Sequence, residues 1–145
     1  MAISNTFHCS VITPERAVLE TDATFVAFPA WDGEVGILRD RAPLLFKMGT
    51  GELRVESPDG NETLFVDGGF AQMVDNKLTL LTEQAKRIEE LDAAAAEKAL
   101  NAARTMSMRS DSAFNARQHA VQSAEVQLHL VAKHGGGGSA RSAGH

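Results

Sequence analysis

The chain has 145 residues, 43% of them hydrophobic, a length that suits one compact domain of ~100–200 residues with a modest appendage and excludes two large ones. It carries 14 Lys and Arg against 19 Asp and Glu, a net charge of −5; its basic residues are scattered and outnumbered, which excludes nucleic acid as a partner, since phosphate binding needs a concentrated basic face. The single Cys9 excludes an internal disulfide and a cysteine zinc cluster and fits a reducing compartment, while no window reaches the ~18 apolar residues of a membrane span and Met1-Ala2-Ile3-Ser4-Asn5 lacks the basic region and apolar core of a secretion signal.

From Phe7 to about Leu81 short β-type runs alternate with turn residues at close spacing, the pattern of an all-β sandwich. Phe7, Cys9 and Val11 alternate with His8 and Ser10. Pro14-Glu15 marks a turn, and Ala17 to Leu19 and Ala23 to Phe28 read as the next strands, the second apolar on both faces and so central. Apolar residues then feed into Trp31-Asp32-Gly33, where Asp and Gly supply the backbone geometry of a tight turn, and Val35 to Leu38 is the returning strand. Glu34 stands at the tip as a lone carboxylate. Leu53-Arg54-Val55-Glu56 alternates and stops at the hairpin signal Ser57-Pro58-Asp59-Gly60-Asn61. Leu64 to Val66, Phe70 to Val74 and Leu78 to Leu81 complete the set, with Asp75-Asn76 a tight connection between the last two.

Around residue 88 the period changes. Glu89-Glu90-Leu91-Asp92 and then Ala93 to Ala96 start a helix, since alanine has the best helix propensity and acidic residues favour a helix N-terminus. Leu91, Ala95, Ala99, Ala102 and Met106 share one face by spacing. Ser107 to Ser112 interrupts, with Ser110 or Asp111 as the cap of a second helix whose stripe is Phe114, Val121, Ala124, Leu128 and Val131. Two such stripes joined by a short loop make an antiparallel helical hairpin. Its seam is largely alanine, so its docking on the sandwich is expected to be weak, a few kcal/mol at ~25 cal/mol per Å2, which permits a switch between two positions. The expected organisation is a β-sandwich domain over 1–87, a helical hairpin domain over 88–134, and a flexible Gly/Ser/Ala-rich tail over 135–145. Charge divides unevenly: residues 1–88 hold 8 basic and 13 acidic residues, and residues 89–145 hold 6 of each.

Chemistry is hard to find in these residues. His8, His119, His129, His134 and His145 have no His-Glu-x-x-His spacing, and there is no Gly-x-Ser-x-Gly elbow. Gly33 and Gly36 lack the following Lys-Ser/Thr of a phosphate loop and are turn glycines. Cys9 sits on an alternating strand with no basic neighbour in sequence, so an inert core thiol is expected. An enzyme is therefore the least favoured class, and no metal or catalytic residue is assigned. A small ligand-binding β-sandwich with an accessory hairpin is the alternative, but it calls for several exposed aromatics, and this chain has no tyrosine and one tryptophan.

Several ordered runs resemble one family. Phe28-Pro29-Ala30-Trp31-Asp32-Gly33-Glu34-Val35-Gly36-Ile37-Leu38 with Ala42-Pro43-Leu44-Leu45, then Gly51-Glu52-Leu53-Arg54-Val55, Phe65-Val66-Asp67-Gly68-Gly69-Phe70 and Asn76-Lys77-Leu78-Thr79-Leu80-Leu81 look like the epsilon subunit of bacterial F-type ATP synthase, the homologue of mitochondrial delta. The resemblance implies an N-terminal antiparallel β-sandwich of about ten short strands and a C-terminal two-helix hairpin. It also implies a non-catalytic rotor subunit of the central stalk that couples the gamma subunit to the c-ring under proton or sodium flow. Its place would be peripheral, on the cytoplasmic face of the energy-transducing plasma membrane, with no direct membrane insertion.

By the same resemblance, Trp31, Asp32, Gly33 and Glu34 face the c-ring, and Thr13, Arg41, Ala42, Pro43, Leu44 and Phe46 face gamma. The family's Pro-Gly-His before Ala-Pro-Leu-Leu is Arg39-Asp40-Arg41 here, which replaces a rigid turn and an imidazole with three charges. In some members the hairpin binds ATP through Ile/Leu-Asp-x-x-Arg-Ala; here Leu91 and Asp92 are present but Ala95 stands at the arginine position, with Ala102 and Ala116 near other arginine positions. Alanine offers no phosphate donor, so ATP binding is expected to be weak or absent and no cofactor is assigned. Hairpins of the family also touch the alpha and beta subunits transiently and slow ATP hydrolysis. From Asp111 to Lys133 this helix carries Arg117 and Lys133 against Asp111 and Glu125, so any such brake is expected to act sterically and not by charge.

Overall fold

The computed structural model describes residues 5–30, 32–106 and 108–134. The chain divides into two compact units, Met1–Arg87 and Ile88–His145. Ten strands make up the first: β1 (Phe7–Ile12), β2 (Ala17–Ala23), β3 (Phe25–Ala30), β4 (Gly33–Ile37), β5 (Leu44–Lys47), β6 (Thr50–Ser57), β7 (Gly60–Asp67), β8 (Phe70–Val74), β9 (Lys77–Leu81) and β10 (Ala85–Arg87). They form two five-stranded sheets in the orders β2-β1-β9-β8-β5 and β10-β7-β6-β3-β4. Every pairing is antiparallel except that of β1 with β9. That exception follows from topology: β9 follows β8 by a hairpin, and its free edge is closed by the first strand running the same way. The reading of β2 and β3 from sequence misplaces their boundary, which falls at Thr24, whose hydroxyl and amide both donate to Glu56 O. β5 and β10 are short strands that alternation alone did not single out.

Alternation builds the core. Phe7, Cys9 and Val11 from β1, Val26 and Phe28 from β3, Leu53 and Val55 from β6, Leu64 and Val66 from β7, Met73 from β8, and Leu78 and Leu80 from β9 join one buried cluster between the sheets. Phe46 leans onto it from β5, its ring edge-on to Phe28 at 6.2 Å between centroids. Turn chemistry closes the hairpins as the sequence indicates. Asp75 and Asn76 both take positive φ (50° and 59°), the geometry of a two-residue hairpin turn. Ser57 pairs with Gly60 across Pro58-Asp59, and its hydroxyl donates to Gly60 O.

Two of the passages between the sheets meet at one place. β5 passes to β6 through Met48-Gly49, and β7 passes to β8 through Gly68-Gly69. These crossovers bond to each other: Met48 N donates to Gly69 O at 2.8 Å and Gly68 N to Gly49 O at 3.1 Å. Gly68 and Gly69 have φ of 72° and 104°, and a Cβ built on Gly69 would collide with the Leu81 carbonyl. Beside them the buried Asp67 accepts a bond from Thr50 Oγ1 at 2.8 Å, and Asp67 N donates to Thr82 Oγ1 and Gln84 O.

In the second unit a 3-10 turn (Ile88–Glu90) precedes helices α1 (Ala93–Arg104) and α2 (Asp111–Lys133). Asp92 is the N-cap of α1, its carboxylate accepting from Ala94 N, and Ser110 is the N-cap of α2, its hydroxyl accepting from Ala113 N. α2 returns along α1, with Arg117 donating to Arg104 O and Arg104 facing Glu125 at 3.8 Å. The buried stripe of α1 is Ala96, Leu100 and Ala103; Ala95, Ala99, Ala102 and Met106 of the expected stripe are exposed. The reason is the cap: Asp92 starts the helix after Leu91, so Leu91 does not count toward its period, and Leu100, its largest apolar side chain, sets the inward face. On α2, Ala124 and Val131 of the expected stripe are buried together with Leu130, Val121 and Leu128 are half-buried, and Phe114 is exposed.

Cys9 is fully buried, and desolvation pushes its thiol up from 9.0 to about 12. The folded state thus favours the neutral thiol. This contribution is intact below the unfolded pKa near 9 and is lost as pH rises toward about 12. Native protein at pH 8 is expected to resist thiol reagents until denatured, and a Cys9→Val variant to lack that part of the alkaline loss of stability, as read by denaturation at stepped pH. At the crossover, Gly69→Ala is expected to cost about 3 kcal/mol or more, whereas Gly60→Ala, with positive φ but open space, costs about 1 kcal/mol; urea melts followed by circular dichroism give both.

Candidate functional site

Two surfaces of the sandwich carry the residues singled out in the sequence. The first is the outward face of the sheet β2-β1-β9-β8-β5. Register places Lys47, Phe70, Leu81 and Ile12 in one row across four strands, and Leu45, Gln72, Thr79 and Ser10 in the next. Val74, Lys77 and His8 follow, with Asp22 and Glu20 near the imidazole at 3.4 and 3.6 Å. Apart from the exposed Lys47, the face therefore grades from apolar at one end to charged at the other. At the apolar end Leu45 is 70% exposed, Phe70 52% and Leu81 49%, where strand alternation would ordinarily put polar groups. A cleft of about 410 Å3 opens there between Ile12, Thr13, Pro14, Phe70, Leu81 and Thr82.

The structure sorts the six residues expected to face gamma. Thr13 lines this cleft, its hydroxyl accepting from Glu15 N and Arg16 N and donating to Arg16 O, which fixes the β1–β2 turn. Arg41, Ala42 and Pro43 are exposed just before β5. Leu44 and Phe46 instead pack on the core cluster, so they support the face from behind, and Leu45 between them is the outward residue. Sequence reasoning missed Leu45, Phe70 and Leu81. The available signal was an apolar residue at the outward position of alternating strands, as in Leu44-Leu45-Phe46 and Leu80-Leu81.

The charged run Arg39-Asp40-Arg41 keeps a tight turn by another means. Asp40 adopts φ 65°, a conformation glycine adopts freely, and it is clamped to the β8–β9 turn: Asp40 N donates to Asn76 Oδ1 at 2.7 Å and Asn76 Nδ2 donates to Asp40 Oδ1 at 3.0 Å. This reciprocal pair anchors the approach to β5 on the same sheet.

The second surface is the β3–β4 hairpin. Ala30 pairs with Gly33 across the turn, and Gly33 has φ 147°. Asp32, Gly33 and Glu34 are exposed; Trp31 lies outside the described residues. Glu34 is not a lone carboxylate: Arg54 of β6 reaches its Oε1 at 3.2 Å. Sequence could not show this, because the two meet only through the pairing of β4, β3 and β6. The hairpin end is bonded to the sheet crossover, Ala30 bridging Met48 and Gly49 N donating to Pro29 O at 2.8 Å. Because Met48 also bonds Gly69, which adjoins Phe70, both surfaces sit at one end of the sandwich.

Among the described residues no group of three or more His, Cys, Asp or Glu is placed to hold a metal ion, and no helix is long and apolar enough to cross a membrane.

A ten-stranded two-sheet sandwich followed by a helical hairpin, with these two surfaces at one end of the sandwich, defines the structural class of the chain. Residues 6–88 match the β-sandwich domain of the ATP synthase delta/epsilon chain. The chain is 42% identical over 120 residues to the ATP synthase epsilon chain of Rhodopirellula baltica, covering 83% of this chain and 94% of that one. It is 37% identical over 97 residues to the epsilon chain of Nitratidesulfovibrio vulgaris, covering 67% and 72%. In solved structures, a chain of the Euglena gracilis mitochondrial ATP synthase, in an assembly of OSCP, F1 and c-ring, superposes with a TM-score of 0.74 at 21% identity, covering 91% of this chain and 84% of that one. The chain belongs to the ATP synthase delta/epsilon family. An epsilon chain is a stalk subunit of the synthase and not its catalytic subunit.

Asp40→Gly is expected to be more stable than Asp40→Ala by about 1 kcal/mol: both lose the carboxylate bond from Asn76, but only alanine retains the positive-φ penalty. Parallel urea melts of the two variants check the difference.

Proposed function

We propose that this chain sits between gamma and the c-ring, gripping gamma with the outward face of the sheet β2-β1-β9-β8-β5 and meeting the polar loops of the c-ring with Asp32, Gly33 and Glu34 of the β3–β4 hairpin, beside Trp31. The observation that carries this is the exposed apolar patch of Leu45, Phe70 and Leu81, spread over two neighbouring rows of the sheet beside the Thr13 cleft, at the same end of the sandwich as an acidic hairpin tip. An exposed apolar patch of this kind is costly in water and gains by burial against a partner. The acidic tip suits a charge-assisted contact with a cationic loop. A two-sheet body clasped by its crossovers resists shear, so rotation of the ring passes to gamma through it.

In this reading the chain is peripheral, on the cytoplasmic face of the energy-transducing membrane, and the ion flow belongs to other subunits. The hairpin touches the alpha and beta subunits transiently and slows hydrolysis by steric obstruction. ATP binding by the hairpin is weak or absent in this reading, because Ala95 offers no donor to phosphate and the Asp92 carboxylate caps α1.

Purified chain is expected to co-elute with the matching gamma-containing catalytic complex. Leu45→Glu combined with Phe70→Glu is expected to weaken that association at least about 100-fold, because two charges would be buried without partners. A version ending at Lys86 is expected to raise the ATP hydrolysis rate of the complex relative to the full chain. Co-elution that survives the double substitution would remove this face from the proposal, and equal hydrolysis rates would remove the brake.

A further inference from the structure

The ion pair at the base of the β3–β4 hairpin has a direction that bears on how Glu34 meets a neighbour. β4 is an edge strand, and β6 lies two strands inward with β3 between them. Arg54 pairs across from Ala27, Ala27 from Gly36, and Glu34 from Pro29. Ala27 and Pro29 are alternate residues on one face of β3, so Glu34 and Arg54 stand diagonally on either side of it. The Phe25 ring lies over Gly36, so the arginine arm reaches Glu34 diagonally from its place opposite Ala27. The contact is a single one, Arg54 NH2 to Glu34 Oε1 at 3.2 Å, with side chains 40% and 50% exposed. In this state the glutamate therefore reaches inward over the sheet and away from the open edge of β4.

From this geometry we infer that Arg54 is an internal competitor for the Glu34 carboxylate, holding it inward until a cationic group of the c-ring takes it over. The inference rests on the proposed reading that Glu34 faces the ring. A cation arriving at the open edge or the tip meets a carboxylate that must first swing off Arg54, because a paired guanidinium beside a second cation adds like-charge repulsion to the new contact. Half-exposed pairs of this kind are weak, so the exchange is easy: the pair is strong enough to bias the side chain and too weak to block it. Arg54 is thus a positioning residue that tunes the grip of the hairpin on the ring and keeps the free chain from presenting an unpaired carboxylate.

The test uses the full chain and the purified matching complex of gamma with the c-ring, with dissociation constants measured for wild type, Arg54→Gln, Arg54→Lys, Glu34→Gln and the double variant, at low and moderate salt. Arg54→Gln is expected to bind about two- to five-fold more tightly, with a steeper salt dependence, because the free carboxylate is then uncompensated. Arg54→Lys is expected to stay close to wild type, and the double variant to match Glu34→Gln, since Arg54 acts only through that carboxylate. Tighter binding is a result that loss of fold cannot produce, and thermal melts of each variant accompany the series. If Glu34→Gln weakens binding while Arg54→Gln weakens it too or leaves it unchanged, the competitor role is overturned and the c-ring contact of Glu34 stands. If Glu34→Gln has no effect, both fall together.

Discussion

The four-residue clasp formed by Met48-Gly49 and Gly68-Gly69 holds the sandwich in its working shape. Here the chain passes from one sheet to the other twice, and the two passages bond each other through Met48 N to Gly69 O and Gly68 N to Gly49 O. Backbone must pass so close to the Leu81 carbonyl that only glycine fits at 69. Next to it, Asp67 is buried and kept satisfied by Thr50, and its amide reaches Thr82 and Gln84. Such a clasp couples the two sheets by directed bonds, in addition to the undirected apolar core between them. The sheets are therefore resisted in sliding as well as in separation.

The same clasp brings the two surfaces described above to one end of the sandwich. It adjoins Phe70 on one side and, through the Ala30–Met48 bridge and the Gly49–Pro29 bond, the end of the β3–β4 hairpin on the other. An apolar face and an acidic hairpin end are thus joined at one node through backbone hydrogen bonds. The reciprocal Asp40–Asn76 pair similarly anchors the segment entering β5.

Much of this was legible in the order of residues. Alternation in Phe7-His8-Cys9-Ser10-Val11, the Pro58-Asp59-Gly60 and Asp75-Asn76 turns, and the alanine-rich switch of period after residue 88 gave sandwich and hairpin directly, because turn geometry and side-chain periodicity are local properties. The tip at Asp32-Gly33-Glu34 was visible for the same reason. Local signals are ambiguous where they admit two solutions. Leu91 is in phase with α1 by spacing, yet Asp92 caps the helix after it, and the run Leu44-Leu45-Phe46 is apolar on both faces, so only the pleat shows that Leu44 and Phe46 pack against the core.

What the sequence determined by itself was the class of each segment and the family, since these rest on residue types at fixed spacing. What only the tertiary structure decided was which residues of distant segments meet: Arg54 with Glu34 across β3, Asn76 with Asp40, and Leu45 with Phe70 and Leu81 on one outward face. Strand register is the physical reason. A shift of one residue in pairing turns every side chain to the opposite face, and register is set by the clasp, the turns and the core together, not by any one strand.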